Sequence, residues 1–417
     1  MTYTIQLRRD LAANWTGDNP VLAQGELGIE TDTDFAKIGD GSSTWASLSY
    51  WSPARLDDRV PAKEAGFAAG SGGNGNLGLV TLLAAIANRD SAACNIPVIG
   101  DSITEGNGAS TFSKRWVTQA TKAIRERYPT TANGSSGGLG FIPMTSTGET
   151  TFTWPITNPD SIPGNIPQGP VRGGVNPTSA ASFTWTAPAG TTSVKIMYFD
   201  ASEAGAFSYQ VNGGATVPVT NAGTGDGALT GNITITAGQV LTIAWISGNP
   251  FIEGIIHYAG DETSGITFHG CGHYGWDTGT GGSGWMQPGY GYDWRLAFAA
   301  LNPSAIAIDL GTNDAGQWSS AQCQSNLDAL ITYLRGNSTL ANLPILLIIP
   351  VFYAQHQDFA AAERNLVAIF ASTQACDLNY RIPDASYEGS FYYDAVHPSD
   401  LGHALMGEAV AASIQIT

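Results

Sequence analysis

Apolar positions along this chain follow more than one rhythm. Short continuous apolar runs at Val98–Gly100, Ile266–Phe268, Ser304–Leu310, Ile345–Pro350 and Leu378–Ile382 read as buried strands. Apolar residues at spacings of three and four predict helices near Ala321–Arg335, Phe359–Thr373 and Leu401–Ala412. A further helix beyond Ser102 carries Trp116, Val117, Ala120, Ala123, Ile124 and Tyr128 on one face, and Leu79–Ala87 reads as a short helix before the first strand. Strands alternating with helices imply a parallel sheet covered on both faces. A two-residue alternation broken by turns marks Ser182–Trp185, Ser193–Phe199, Phe207–Val211, Gly231–Ile235, Val240–Ile246 and Phe251–Tyr258 as strands of a β-sandwich. Residues 1–51 form a small β pattern of their own, with Gly39-Asp40-Gly41 turn chemistry. From Ser52 to Leu79 the composition shifts to Pro, Ala, Gly and Ser, which predicts a linker.

The strand ending in Gly100-Asp101-Ser102 breaks at a glycine and presents a hydroxyl. That is how an α/β sheet sets a nucleophile at its carboxyl edge, where open sheets form their ligand crevices. Gly-Asp-Ser alone also makes ordinary turns. Near the other end, Asp394 stands three residues before His397 on a loop entering a helix. An Asp there can orient one imidazole nitrogen while the other takes a proton from a serine. Between them, Ile306–Leu310 runs out into Gly311-Thr312-Asn313-Asp314, and the Asn313 side chain could donate an N–H to a developing oxyanion.

These pieces, in this order, resemble the SGNH (GDSL-type) hydrolase family, over Asn95–Gln119 and Gly265–Ile414. Its first block matches Gly100-Asp101-Ser102, its third Gly311-Thr312-Asn313-Asp314 and its fifth Asp394-Ala395-Val396-His397. The second block is best matched by Gly272-His273-Tyr274-Gly275, although the family's frequent Asn two residues earlier is replaced by Gly270. The resemblance implies an α/β, flavodoxin-like three-layer hydrolase domain with five central strands. It also implies a catalytic triad of Ser102, Asp394 and His397, an oxyanion hole of the Ser102 and Gly272 amides and the Asn313 side chain, and no cofactor.

Ser102 to Gly272 is 170 positions (272 minus 102), whereas one strand–helix–strand unit needs about 30 or somewhat more. An inserted domain is therefore expected at 131–261, splitting the hydrolase domain into 80–130 and 262–417. Its pattern resembles jelly-roll, carbohydrate-binding-like modules and leaves two readings open, glycan positioning and a purely structural insertion. Residues 1–51 resemble the N-terminal module of phage tail fibres and tropism determinants, with Gly25-Glu26-Leu27-Gly28, Lys37-Ile38-Gly39-Asp40-Gly41 and Trp45-Ala46-Ser47-Leu48 in the expected order. The resemblance implies a homotrimer and attachment to virion tail proteins; a β-hairpin cap of the enzyme itself is the alternative.

Eighteen basic against 35 acidic residues give a net charge of −17, which argues against nucleic acid and anionic membranes as partners. No run approaches the roughly 20 apolar residues of a membrane helix, and the N-terminus lacks the basic-then-apolar order of a signal peptide. These features predict a soluble protein that is not exported by a signal peptide, and the resemblance of residues 1–51 implies that it is made in the host cytoplasm and assembled into a virion. Cys94, Cys271, Cys323 and Cys376 have no metal-type spacing and are expected as buried free thiols. The histidines, His403 among them, lack zinc-ligand spacing.

Rings crowd around the second block: Tyr274, Trp276, Trp285, Tyr290, Tyr292 and Trp294, with Trp318 beyond the third. Aromatic faces on glycine-rich loops suit the C–H faces of sugars, so His273, Tyr274, Trp276, Trp285 and Trp318 are candidate substrate contacts, although any single ring could simply pack. The reading that follows is a serine esterase on a phage tail fibre, deacylating a host surface polysaccharide, most simply by removing O-acetyl groups. A glycan-binding adhesin on a hydrolase scaffold and a bacterial carbohydrate esterase unrelated to virions are the alternatives.

Overall fold

The computed structural model describes residues 8–33, 36–48, 50–51, 79–146, 150–157, 182–200, 205–225, 227–248, 250–281, 284–286, 293–352, 354–370, 372–382 and 390–414. The expected linker lies outside the described residues except for Leu79. The chain divides into two compact units, Met1–Gly70 and Ser71–Thr417.

In the first unit, β1 (Arg8–Asp10) runs parallel to β2 (Leu27–Glu30), and β3 (Ala36–Ile38) and β4 (Tyr50–Trp51) extend the sheet antiparallel. Between β1 and β2 lies a helix that the all-β expectation lacked, α1 (Ala12–Asp18). Trp15 is its only buried residue, so no apolar stripe announces it. The Trp15 ring stacks on Trp45 at 4.2 Å and its indole N–H donates to the Ile29 carbonyl at 2.9 Å. With Leu22 and Leu48 these two rings form a buried core cluster among the unit's described residues.

The second unit opens with α2 (Val80–Ala87), β5 (Cys94–Gly100), the single turn α3 (Ser102–Glu105) and α4 (Trp116–Arg127). Among the described residues, ten strands follow: β6 (Gly140–Pro143), β7 (Ile156–Thr157), β8 (Ser182–Thr186), β9 (Ser193–Phe199), β10 (Ala206–Val211), β11 (Val217–Thr220), β12 (Gly227–Leu229), β13 (Ile233–Thr234), β14 (Val240–Ser247) and β15 (Phe251–Tyr258). They build two antiparallel sheets, ordered β11-β10-β14-β8-β7 and β12-β9-β15-β6, with β13 beside β9. Phe183, Phe207, Leu241, Val194, Ile196 and Ile255 fill the space between the sheets. From the second sheet, Phe141, Met197 and Ile256 instead join a core outside the sandwich, beside Cys271, Trp285 and Phe298. This explains why β15 is buried along nearly its whole length rather than alternating.

The chain then completes the parallel sheet with β16 (Ile266–Gly272), α5 (Arg295–Ala300), β17 (Ile306–Asp309), α6 (Ser320–Arg335), β18 (Ile345–Ile349), α7 (Gln357–Ile369), β19 (Thr373–Asp377) and α8 (Asp400–Ser413). The order β16-β5-β17-β18-β19 is the flavodoxin-like one. Successive residues serve opposite layers: Ile345, Leu347 and Ile349 pack toward α6 and α7 with Leu327, Leu330 and Leu366, whereas Leu346 and Ile348 pack toward α4 and α8 with Ile124 and Val410. The last strand lies five residues earlier than expected. Leu378 and Ile382 are both buried and four residues apart; Leu378 opens a 3-10 turn that Asp377 caps by accepting from the Asn379 N–H at 3.0 Å, and Ile382 follows it. Among the described residues, no helix is long and apolar enough to cross a membrane.

Candidate active site

Strand β5 stops at Gly100, and the Asp101 carboxylate accepts from the Ile103 N–H at 2.8 Å, capping α3. Ser102 is thereby the first residue of a helical turn at the carboxyl edge of a central strand. Asp101 is fully buried; burial first, then nearby Asp309, hold its carboxyl well above the usual range. Asp309, at the end of β17, accepts from the Thr104 hydroxyl at 2.6 Å, and burial raises it to about 6 against that bond.

His397 stands on the loop leading into α8. One carboxylate oxygen of Asp394 accepts the Val396 and His397 N–H groups, both at 2.7 Å, and so closes the turn. Its other oxygen lies 2.8 Å from His397 Nδ1. This pairing places the ring proton on Nδ1 and leaves Nε2, 2.9 Å from Ser102 Oγ, as acceptor. The three triad residues foreseen from sequence, Ser102, His397 and Asp394, thus form one hydrogen-bonded chain.

Asn313 follows β17 on its polar turn, and its amide donates to the Trp276 carbonyl at 2.8 Å. That bond fixes the side chain while using one of two N–H groups. Gly272 ends β16 opposite Gly100. A Cβ there would lie 2.2 Å from the Glu105 amide nitrogen and 2.6 Å from the Asp101 carbonyl, so α3 rests directly on the strand.

The aromatic candidates divide by burial. Trp276 and Trp285 are 4% and 1% exposed, and His273 is fully buried between them. This corrects the expectation that these three contact substrate. The loop folds inward, Trp285 spends its indole N–H on the Gly100 carbonyl at 3.1 Å, and the rings continue edge to face through Trp294 to Phe298. Tyr274 and Trp318 remain at the surface, 44% and 37% exposed. The Tyr274 ring lies 6.4 Å from that of His397, nearly parallel to it. Tyr290 and Tyr292 lie outside the described residues.

Two residues at the site were not singled out from sequence as part of it. Asn107 Nδ2 lies 3.2 Å from His397 Nε2, and the buried His403 donates from Nε2 to the Asn107 carbonyl at 3.0 Å. The signal for Asn107 was its place between two glycines just after the nucleophile turn. An apolar cavity of about 190 Å³ is lined by Ile103, Thr312, Val396 and Pro398, the neighbours of Ser102, Asn313 and His397, but not by those three. All four cysteines are buried free thiols; burial pushes Cys94 and Cys376 up to about 12.

A flavodoxin-like sheet bearing a Ser–His–Asp chain at its carboxyl edge is the architecture of a serine hydrolase. The GDSL-like Lipase/Acylhydrolase family model matches residues 96–410, and the chain belongs to that family. Residues 5–43 match the Major tropism determinant N-terminal domain. Hyaluronoglucosaminidases of Streptococcus pyogenes phages H4489A and H10403 are 46% identical over 46 residues and 43% identical over 49. Those stretches are 11% and 12% of this chain and span only 12% and 14% of the phage proteins. A solved peptidoglycan O-acetylesterase is 18% identical, with a TM-score of 0.56 over 81% of this chain and 94% of its own, a likeness of fold.

Proposed function

We propose that this chain is a serine esterase that removes O-acetyl or other short acyl groups from a bacterial surface polysaccharide, as part of a phage tail fibre. The observation that carries the reading is the Ser102–His397–Asp394 chain at 2.9 and 2.8 Å. In this mechanism Ser102 Oγ attacks the acyl carbonyl while His397 Nε2 takes its proton, and Asp394 holds the imidazole in the competent tautomer. The Ser102 and Gly272 amides and the Asn313 side chain receive the oxyanion. His397 returns the proton to the departing alcohol, and water then repeats the sequence on the acyl-serine. Exposed Tyr274 and Trp318 offer ring faces for sugar. The likeness of the N-terminal module to phage hyaluronoglucosaminidases supports a place on a virion, and in this reading the module holds the chain in a trimer.

Hydrolysis of p-nitrophenyl esters from acetate to octanoate, by the wild type and Ser102→Ala together, tests this. Turnover greatest on acetate, falling with chain length and absent from the variant, is the expected result. No turnover by folded wild-type protein would favour a glycan-binding role.

A further inference from the structure

The segment Gly106-Asn107-Gly108 is built to hold one side chain in place. Gly106 and Gly108 both take left-handed backbone angles, with φ of 108° and 92°, which an L side chain adopts only under strain. The Asn107 N–H donates to the Ser102 carbonyl at 2.9 Å, tying the segment to α3. The Asn107 carbonyl accepts from His403 Nε2, and His403 Nδ1 accepts the Trp116 N–H at 3.2 Å, so the buried ring is neutral and its donor direction fixed. Burial, which holds His403 down to about 4, keeps it so across neutral pH. On the other side, a Cβ at Gly108 would lie 2.0 Å from the Pro398 carbonyl oxygen, so the segment packs against the His397 loop. The outcome of these restraints is Asn107 Nδ2, on a residue 8% exposed, 3.2 Å from the Nε2 atom that Ser102 Oγ also meets at 2.9 Å.

We infer that Asn107 is a further catalytic residue, a hydrogen-bond donor to the leaving-group oxygen; the inference rests on the esterase reading above. When the tetrahedral intermediate collapses, the C–O bond to the alcohol breaks, its electron pair stays on oxygen, and that oxygen takes the proton from His397 Nε2. An oxygen seated to receive that proton is within reach of an N–H held 3.2 Å from Nε2. Asn107 thus stabilises negative charge building on the leaving oxygen, and in deacylation the same donor meets the attacking water.

The test exploits the leaving group. p-Nitrophenoxide departs without needing a proton, whereas ethoxide does not, so kcat/KM is measured on p-nitrophenyl acetate and on ethyl acetate, the latter by acid release. Asn107→Ala should lower kcat/KM on ethyl acetate by about a hundredfold and on p-nitrophenyl acetate by about tenfold or less. Asn107→Asp, of the same shape but with no N–H, should give the same split and carries the comparison if the alanine variant does not fold. Equal losses on both esters, or no loss on either, overturn the inference. A folded wild type that hydrolyses neither ester overturns the esterase reading, and this inference with it.

Discussion

At the scale of single residues, Asp394 gives one oxygen to the turn and the other to the ring. Partial burial pushes its carboxyl up, but the His397 backbone N–H, the His397 ring and the Val396 N–H together outweigh burial and hold it below the usual carboxylate range. It therefore stays charged through acid conditions that would protonate an ordinary Asp, and the imidazole keeps its orientation. Asn313 lends itself to a clean separation of chemistry from folding. Asn313→Ala should lower kcat on p-nitrophenyl acetate about 10²–10³-fold through the lost oxyanion donor. Losing the bond to the Trp276 carbonyl should cost only about 1 kcal/mol in denaturant unfolding. Equal kcat in the variant would remove Asn313 from the hole. The proposed triad was legible because Ser102 closes an apolar strand with a polar turn and Asp394 stands three residues before His397 on a loop entering a helix, contrasts visible in one dimension. Asn107 was not, because Gly-Asn-Gly is ordinary turn vocabulary and its meaning comes from His397, 290 positions away. Trp276 and Trp285 misled for the converse reason: ring and glycine content suggest a sugar platform, and only the inward fold of the loop spends both rings on the core.

At the scale of elements, the proposed nucleophile, Ser102, depends on how closely α3 lies on β16. The parallel register brings Gly272 opposite Gly100, and the absent side chain at Gly272 lets the amide of Glu105 approach the strand. Gly272→Ala should force this contact apart, at about 1–3 kcal/mol for overpacking. Because Ser102 begins the same turn, turnover should fall with stability. Thermal unfolding and p-nitrophenyl acetate hydrolysis of one preparation measure both, and a variant unchanged in both would show that α3 is not seated on the strand. Long periodic elements were the legible ones; α6, α7 and α8 begin within two residues of where the spacing puts them. Local apolar content failed where burial comes from elsewhere. Strand β19 has a sequence, Thr-Gln-Ala-Cys-Asp, too polar to announce itself, while the apolar Leu378 and Ile382 beyond it serve a turn. Helix α1 offers a single buried ring and no stripe.

At the scale of the whole molecule, the two units differ in how well each can stand alone. The unit 71–417 encloses large cores on both faces of its parallel sheet and a third inside the β-sandwich, whose second sheet shares residues with the hydrolase core. That sharing was invisible in sequence, because Phe141, Met197 and Ile256 are ordinary alternating strand residues until the fold gives their outer face a partner. Among its described residues, the first unit has a core of four side chains, and Leu11, Val21 and Ile38 are exposed on it. A core so small seldom stabilises a separate fold, and association with further copies would cover such residues. Every residue assigned a part in the proposed ester cleavage lies beyond position 100. The full chain should therefore run as a trimer in light scattering, and a chain beginning at Ser71 as a smaller species with the same p-nitrophenyl acetate turnover per chain. If the shortened chain remains trimeric, the hydrolase unit rather than the N-terminal module holds the assembly. If it becomes monomeric and loses turnover, the site depends on a neighbouring copy, and the division of labour between the units falls.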